Sequence, residues 1–322
     1  MPYLPPIVAM LVAAVVITVI LRSKYGQAIQ DIPNDRSLHN TPVPRTGGIA
    51  LVLGLSAGWS FLAESIPWWV WLPCLMLFVV SLLDDIRNLP VKQRLFAHLT
   101  AAALLVAGSG VAAQQGWLVA LAVFLYAAWM IDLYNFMDGS DGLAGGVALF
   151  GFACYGIASL LAHDEMLALL NFSIAAAALS FLFFNFHPAR IFMGDAGSIP
   201  LGYLAAALGL WGWLRGDWSV WFPLLTFSPF IVDATVTLVK RTLRGAKITE
   251  AHREHYYQRA VQMGLGHRRV ALVEYGLMSL IGLAALSSRN AAFPVLALLL
   301  SSGVLVLPMV WIERRWIMKE TR

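Results

Sequence analysis

The sequence predicts an all-α, polytopic membrane protein, and three observations carry that prediction. Mean hydropathy is +0.72. Hydrophobic residues fill 59% of the 322 positions and charged residues only 12%, about half the charged share of an ordinary soluble domain. Nearly every cation and clustered carboxylate falls in five short polar stretches or the C-terminal tail. Between them lie apolar runs near the roughly 20 residues that cross hydrocarbon as a helix. Eleven segments are read, at 3–21, 46–63, 67–83, 95–112, 116–133, 143–162, 166–185, 197–214, 218–238, 270–287 and 291–311.

The first segment resembles a signal peptide only in its apolarity. It lacks a basic leading region and a small-x-small cleavage site, and its cations follow the apolar run, so it is read as a mature helix. Cys74 and Cys154 fall inside apolar segments, where a small buried hydrophobe is the default role. No internal repeat, low-complexity tract or linker interrupts the chain, so residues 1–322 are read as a single transmembrane catalytic domain.

Orientation follows from cations, because short cytoplasmic loops carry the excess of Lys and Arg. Loops after the first, third, fifth, seventh and ninth segments, with the C-terminal tail, hold 20 of the 22 cations, leaving Arg215 and Arg289 opposite. The expected topology therefore has the N-terminus outside and the C-terminus cytoplasmic. The net charge of +4 reflects this bias and is no nucleic-acid footprint.

The expected cytoplasmic face carries the chemistry. In the first loop, 33–48, three prolines and a Gly pair favour an ordered non-helical path, with Arg36, His39 and Arg45 as anion donors. A loop that merely sets topology is the alternative. In the second, 81–94, Asp84 and Asp85 are adjacent at a helix C-terminus, where the helix dipole disfavours them. Pairing with Arg87 is one reason for their placement, and a metal or proton-transfer role is the other.

The third loop, 132–143, reads Asp132-Leu-Tyr-Asn135-Phe-Met-Asp138-Gly-Ser-Asp141-Gly-Leu and contains no cation. On helical spacing Asn135, Asp138 and Asp141 share one face, and the glycines allow close backbone approach to a ligand. The fourth, 185–198, holds Arg190 and places Asp195 just before a helix between glycines, to cap it or to ligate a metal. The EF-hand pattern is absent from all these loops, so a structural calcium site is not expected.

The fifth and longest loop, 240–269, carries eight cations with Arg253, His255, Tyr257, Gln258 and Arg259 among its residues, a composition suited to a lid over a diphosphate. Asp233 precedes it by seven residues at Lys240, about 10 Å along a helix, which places an ionisable group at membrane depth.

Together and in this order, these loops resemble the polyprenyl-phosphate N-acetylhexosamine-1-phosphate transferases, bacterial membrane enzymes of glycosyltransferase family 4. The WecA-like and WbpL-like proteins are the nearer members and MraY a more distant one. The resemblance rests on Leu-Asp84-Asp85, on Asn135-Phe-Met-Asp-Gly-Ser-Asp-Gly-Leu-Ala and on Ala-Arg190-Ile-Phe-Met-Gly-Asp195-Ala-Gly-Ser, and it runs over essentially the whole chain.

The resemblance implies that polyprenyl (undecaprenyl) phosphate attacks the β-phosphorus of a UDP-N-acetylhexosamine with Mg²⁺, Mn²⁺ being an admissible substitute. UMP is released and a lipid-linked cell-surface glycan, such as an O-antigen, is begun. It implies Asp195 as main metal ligand with Asn135 as a second, and Asp138 and Asp141 lining the nucleotide-sugar site. Asp84 and Asp85 would face the lipid phosphate, and Arg94 would stand near the phosphates. His255 falls on the first histidine of the family's Arg-x-His-x-His-His segment, while Tyr257 and Gln258 replace the next two, as in the subgroup that handles 6-deoxy sugars. Arg45, Arg190, Arg253 and Arg259 complete the expected substrate contacts. The implied setting is the bacterial inner membrane with a cytoplasmic active site; a homodimer is left open.

The chemistry has its own logic. A diphosphate and a phosphate monoester approach with several negative charges between them, so a cation and Arg clamps are needed. A phosphate monoester with its second pKa near 6 is already largely dianionic at pH 7, which favours direct attack over a phospho-enzyme. A secondary transporter is the rival class, but it would put ionisable groups near the midplane and show two related halves.

Overall fold

The computed structural model describes residues 3–23, 29–33, 37–39, 41–247 and 252–320. Arg36, expected above to bind an anion, lies outside the described residues. Among the described residues the fold is all-α apart from one two-stranded antiparallel ribbon, β1 (Gln30–Asp31) with β2 (Val43–Pro44), in which Gln30 faces Pro44 and Asp31 faces Val43.

In chain order the helices are α1 (Leu4–Arg22), α2 (Gly47–Trp59, continued by a 3₁₀ turn to Ser65), α3 (Trp68–Arg87), α4 (Val91–Ser109) and α5 (Val111–Gln115). Then come α6 (Trp117–Phe136), α7 (Leu143–Leu161), α8 (Glu165–Asn185), α9 (Asp195–Arg215), α10 (Trp221–Thr226) and α11 (Ser228–Leu243). The last are α12 (Tyr256–Ala260), α13 (Gly266–Ser287) and α14 (Val295–Glu320).

Among the described residues, nine helical spans are long and apolar enough to cross a membrane. The two expected segments that fall short are helical but interrupted or polar. Segment 95–112 corresponds to α4, whose first two turns carry Lys92, Arg94 and His98, and which ends at Gly110 with φ +69°. Segment 218–238 is broken at Phe227 into α10 and α11 of 6 and 16 residues.

Packing centres on α9, whose span is 89% buried. Small residues let its neighbours approach: a Cβ on Gly202 would collide with the Met130 carbonyl of α6, and one on Gly48 of α2 with the Gly197 backbone. Without a hydrophobic drive between helices in lipid, such close backbone contact supplies the attraction. The same device joins α2 to α1, where Gly54 and Gly58 face Ala9 and Pro5; a Cβ on either would come within 2.6 Å of those residues' carbonyls. At 21 residues, α9 is about 30 Å long, so Asp195 and Arg215 stand on opposite faces. Arg215 pairs with Asp164 at 2.6 Å, and Arg289 donates to the Leu161 carbonyl at 3.1 Å.

Candidate active site

The polar stretches converge at the N-terminal end of α9. Asn88, in the left-handed region at φ 50°, ends α3 and turns the chain back, so Arg94 on α4 returns to Asp84. The Arg94 Nη1 lies 2.9 Å from Asp84 Oδ2 and 3.6 Å from Asp195 Oδ2, and the other Asp84 oxygen accepts from Leu89 N at 2.6 Å. Both Asp84 oxygens are therefore engaged, by partners other than Arg87.

Asp85 has a different environment. It accepts from the backbone N–H of Asp195 at 3.3 Å and of Ala196 at 3.0 Å, and pairs with Arg45 Nη2 at 3.0 Å. It stands at the unfavourable C-terminus of its own helix but also at the N-terminus of α9, whose dipole offsets the cost. Gly194 at φ +70° permits this approach; a Cβ there would come within 2.5 Å of the Arg45 carbonyl and 3.0 Å of Asp85. Capping of α9 thus falls to Asp85, and the Asp195 side chain makes no cap. The Asp195 side chain instead faces Arg94 at 3.6 Å and, with Asn135, lines the space beside it.

The shared helical face expected for Asn135, Asp138 and Asp141 does not form. Helix α6 ends at Phe136, so Asp138 and Asp141 lie in the turn before Gly142, the N-cap of α7 at φ +77°. All three still line one polar cavity of about 340 Å³ with Arg45, Asp195 and His267. Asp138 is half-buried there, and burial with the charges of Asp195, Asp85 and Asp31 pushes its carboxyl well above the usual carboxylate range. Asp141 is held sideways: its Oδ2 takes His187 Nδ1 at 2.6 Å and Ala189 N at 3.1 Å, and His187 stacks on His267 with ring centres 5.4 Å apart. His187 has no role in the sequence reading, and nothing in its spacing from Asp141 announces the pair.

A second cavity of about 420 Å³ adjoins the first and shares Asn135, Asp195, His252 and Gln258 with it. Its walls are largely apolar, from Val80, Leu95, Phe136, Ile199 and Leu238, with Asp84, Arg94, His98 and Asp132 at polar points.

The descent of this constellation is visible in comparison with known proteins. Residues 67–212, from the start of α3 almost to the end of α9, match glycosyl transferase family 4. A phospho-N-acetylmuramoyl-pentapeptide-transferase of Moorella thermoacetica is 32% identical over 62% of this chain and 72% of its own length. The chain belongs to glycosyl transferase family 4. Other relatives are a decaprenyl-phosphate N-acetylglucosaminephosphotransferase of Mycobacterium tuberculosis, 29% identical over 85% of this chain and 80% of its own, and an undecaprenyl-phosphate alpha-N-acetylglucosaminyl 1-phosphate transferase of Yersinia pestis, 26% identical over 78% and 75%. The family match contains Asp84, Asp85, Asn135, Asp138, Asp141 and Asp195.

The last polar loop lies C-terminal to that match, and in this family 4 member it divides into cavity-lining and structural residues. His255 is the N-cap of α12, with its Nδ1 3.5 Å from Asp233 Oδ1, and its ring lines the apolar-walled cavity. Asp233, flagged for its membrane depth, caps the same helix through Tyr256 N at 2.9 Å and Tyr257 N at 3.1 Å. Tyr257 donates to the Phe136 carbonyl at 3.1 Å, and Gln258 lines both cavities. His252 lines both as well; burial and the nearby His255 and Arg241 push its imidazole down to about 4.

The expected arginines are distributed unevenly. Arg45 lines the polar cavity and Arg94 the apolar-walled one. Arg259 is buried in a network with Glu254 at 3.4 Å and Glu313 at 3.3 Å, over the Tyr256 and Trp316 rings, and lines neither cavity. Arg190 lies over Phe183 and Phe184, and Arg253 is exposed; both also stand outside the two cavities.

The donor set suits a hard cation. Asp195 and Asn135 both line the rim shared by the two cavities, and the field of Asp195, Asp85 and Asp31 that raises Asp138 is one a cation would relieve. Among the described residues no three His, Cys, Asp or Glu side chains form a ready-made cage.

Proposed function

We propose that this chain transfers an N-acetylhexosamine-1-phosphate from a UDP-sugar to polyprenyl phosphate, releasing UMP, as a single catalytic domain. The reaction would take place at the cytoplasmic face of the bacterial plasma membrane, with the N-terminus outside. The observation that carries the reading is the junction of two unlike cavities on Asn135 and Asp195. A polar cavity suits a nucleotide-sugar and an apolar-walled one suits the head of an isoprenoid chain. Their shared rim is where the two phosphates would meet.

Asp195 and Asn135 would hold Mg²⁺, which supplies charge neutralisation at the donor diphosphate when bound. Arg94 stabilises charge on the acceptor side, and Arg45 faces the polar cavity while fixing Asp85. A phosphate oxygen of the acceptor attacks the β-phosphorus, and the bond to UMP breaks. Direct displacement is supported by the state of the aspartate pair: Asp84 has both oxygens engaged and Asp85 is committed to the α9 N-terminus, so neither is poised as a nucleophile. His252, neutral at physiological pH, adds no charge to the rim it shares.

The test is transfer of radiolabel from UDP-N-acetylhexosamines into an organic-extractable lipid by purified protein with Mg²⁺ and polyprenyl phosphate. Absence of label from the lipid across a donor panel would refute the reading.

A further inference from the structure

Helix α4 turns one stripe toward the apolar-walled cavity: Val91, Arg94, Leu95 and His98, at spacings of three, four and seven. Arg94 and His98 are one turn apart, a rise of about 6 Å. Arg94 is already committed to Asp84 and Asp195. His98 is not. Its side chain is 9% exposed, and Nδ1 lies 2.7 Å from Asp132 Oδ1 on α6. Among the described residues no hydrogen bond engages Nε2, which is also not among the sealed, unpartnered buried atoms.

A half-buried carboxylate and a buried imidazole beside Leu95, Phe136 and Ile199 are costly to desolvate. A structural pair would spend its remaining nitrogen on the protein. Here the carboxylate fixes the ring's orientation and leaves Nε2 to the cavity, the arrangement by which a second group orients a working histidine. We propose that His98, positioned by Asp132, binds the phosphate of the polyprenyl acceptor, one helical turn along the wall from Arg94.

Two features fit this ligand. A phosphate monoester taking hydrogen bonds of about 2.8 Å on opposite sides bridges groups separated by about one helical turn. Its oxygens can accept a hydrogen bond or, as P–O–H, donate one, so they complement an imidazole nitrogen. Leu95, Val91 and Ile199 beside it then cover the first isoprene units. His98 is thus a binding residue for the acceptor, and Asp132 acts through it.

The inference rests on the proposed transferase reading, and its tests separate the two. His98→Ala should raise KM for a short-chain polyprenyl phosphate at least about tenfold, as for a lost hydrogen bond to a charged group, with the UDP-sugar KM within about twofold. His98→Gln, which keeps a donor, should recover part of the loss, and Asp132→Asn should shift the same constant by less. Unchanged lipid KM in an active His98→Ala enzyme, or equal changes for both substrates, would overturn the inference while leaving the reaction intact.

Wild-type protein gives an independent readout. Diethyl pyrocarbonate should modify His98, read by mass spectrometry, and polyprenyl phosphate should protect it, whereas UDP-sugar and inorganic phosphate should not. Phosphatidic acid protecting as strongly as polyprenyl phosphate would overturn assignment to the acceptor. So would no protection by polyprenyl phosphate at all. If wild-type enzyme labels no lipid, the transferase reading itself fails.

Discussion

The carboxylate of Asp85 caps the N-terminus of α9 through Ala196 N at 3.0 Å, although the two residues belong to different transmembrane helices 111 positions apart. One aspartate of an adjacent pair thereby holds α9 in place, and the Asp195 side chain makes no cap.

Asp85→Ala should destabilise the protein more than its chemistry alone would require. It removes a cap, whose loss costs about 0.5–2 kcal/mol, and takes from Arg45 its carboxylate partner. Thermal unfolding in detergent should show a lower midpoint, with Asp85→Asn between Ala and wild type. A wild-type midpoint for Asp85→Ala would show that α9 is positioned without the cap.

Asp195→Asn should separate activity from folding in the opposite sense. The side chain caps nothing, so unfolding should be near wild type while turnover falls at least about a hundredfold, the order of loss for a preorganised electrostatic group. EDTA should silence the wild-type enzyme and Mg²⁺ restore it. Full activity in EDTA, or wild-type turnover by the variant, contradicts the assignment of Asp195 as a metal ligand.

Direct displacement predicts no stoichiometric release of UMP when lipid-free enzyme meets UDP-sugar and Mg²⁺. Asp84→Asn, whose amide oxygen still accepts from Arg94, should slow turnover without erasing it. A burst of one UMP per enzyme that disappears in this variant would instead make Asp84 a nucleophile in a two-step route.

The depressed imidazole of His252 sets a pH window for the segment around it. Folded, it titrates near 4 against an ordinary value of 6.5. The unfolded or open segment therefore takes up a proton that the closed one does not. Stability from this group is full above 6.5 and is lost as pH falls toward 4. Hydrogen exchange in residues 253–260, corrected for intrinsic rates, should show weaker protection at pH 5 than at 7.5. His252→Gln should flatten that difference; an unchanged pH dependence in the variant would remove His252 as its source.

Membrane class and the polar loops were legible in the sequence, because transferring a side chain from water to hydrocarbon is a local cost that hardly depends on fold. The same holds for the identity of the clustered groups: Asp84, Asp85, Asn135, Asp138, Asp141 and Asp195 all reach the two cavities or their immediate support. Helical spacing misled at 135–141, because α6 ends at Phe136 and Asp138 and Asp141 fall in the turn that follows. Hydropathy also gave no warning of the break at Phe227, since both halves of the run are apolar.

Tertiary structure decided which of several like residues does what. Asp85 and Asp195 differ because one meets backbone N–H groups 110 or more positions away and the other faces Arg94 and lines both cavities. Arg259, equal to Arg45 as a cation in sequence, is spent on Glu254 and Glu313. His98 looks like an isolated histidine near the start of a helix until α6 brings Asp132 to 2.7 Å. Hydrogen bonds and ion pairs act over about 3 Å and join residues remote in the chain, so composition foretells that such groups need partners, and only the packing of α3, α4, α6 and α9 names them.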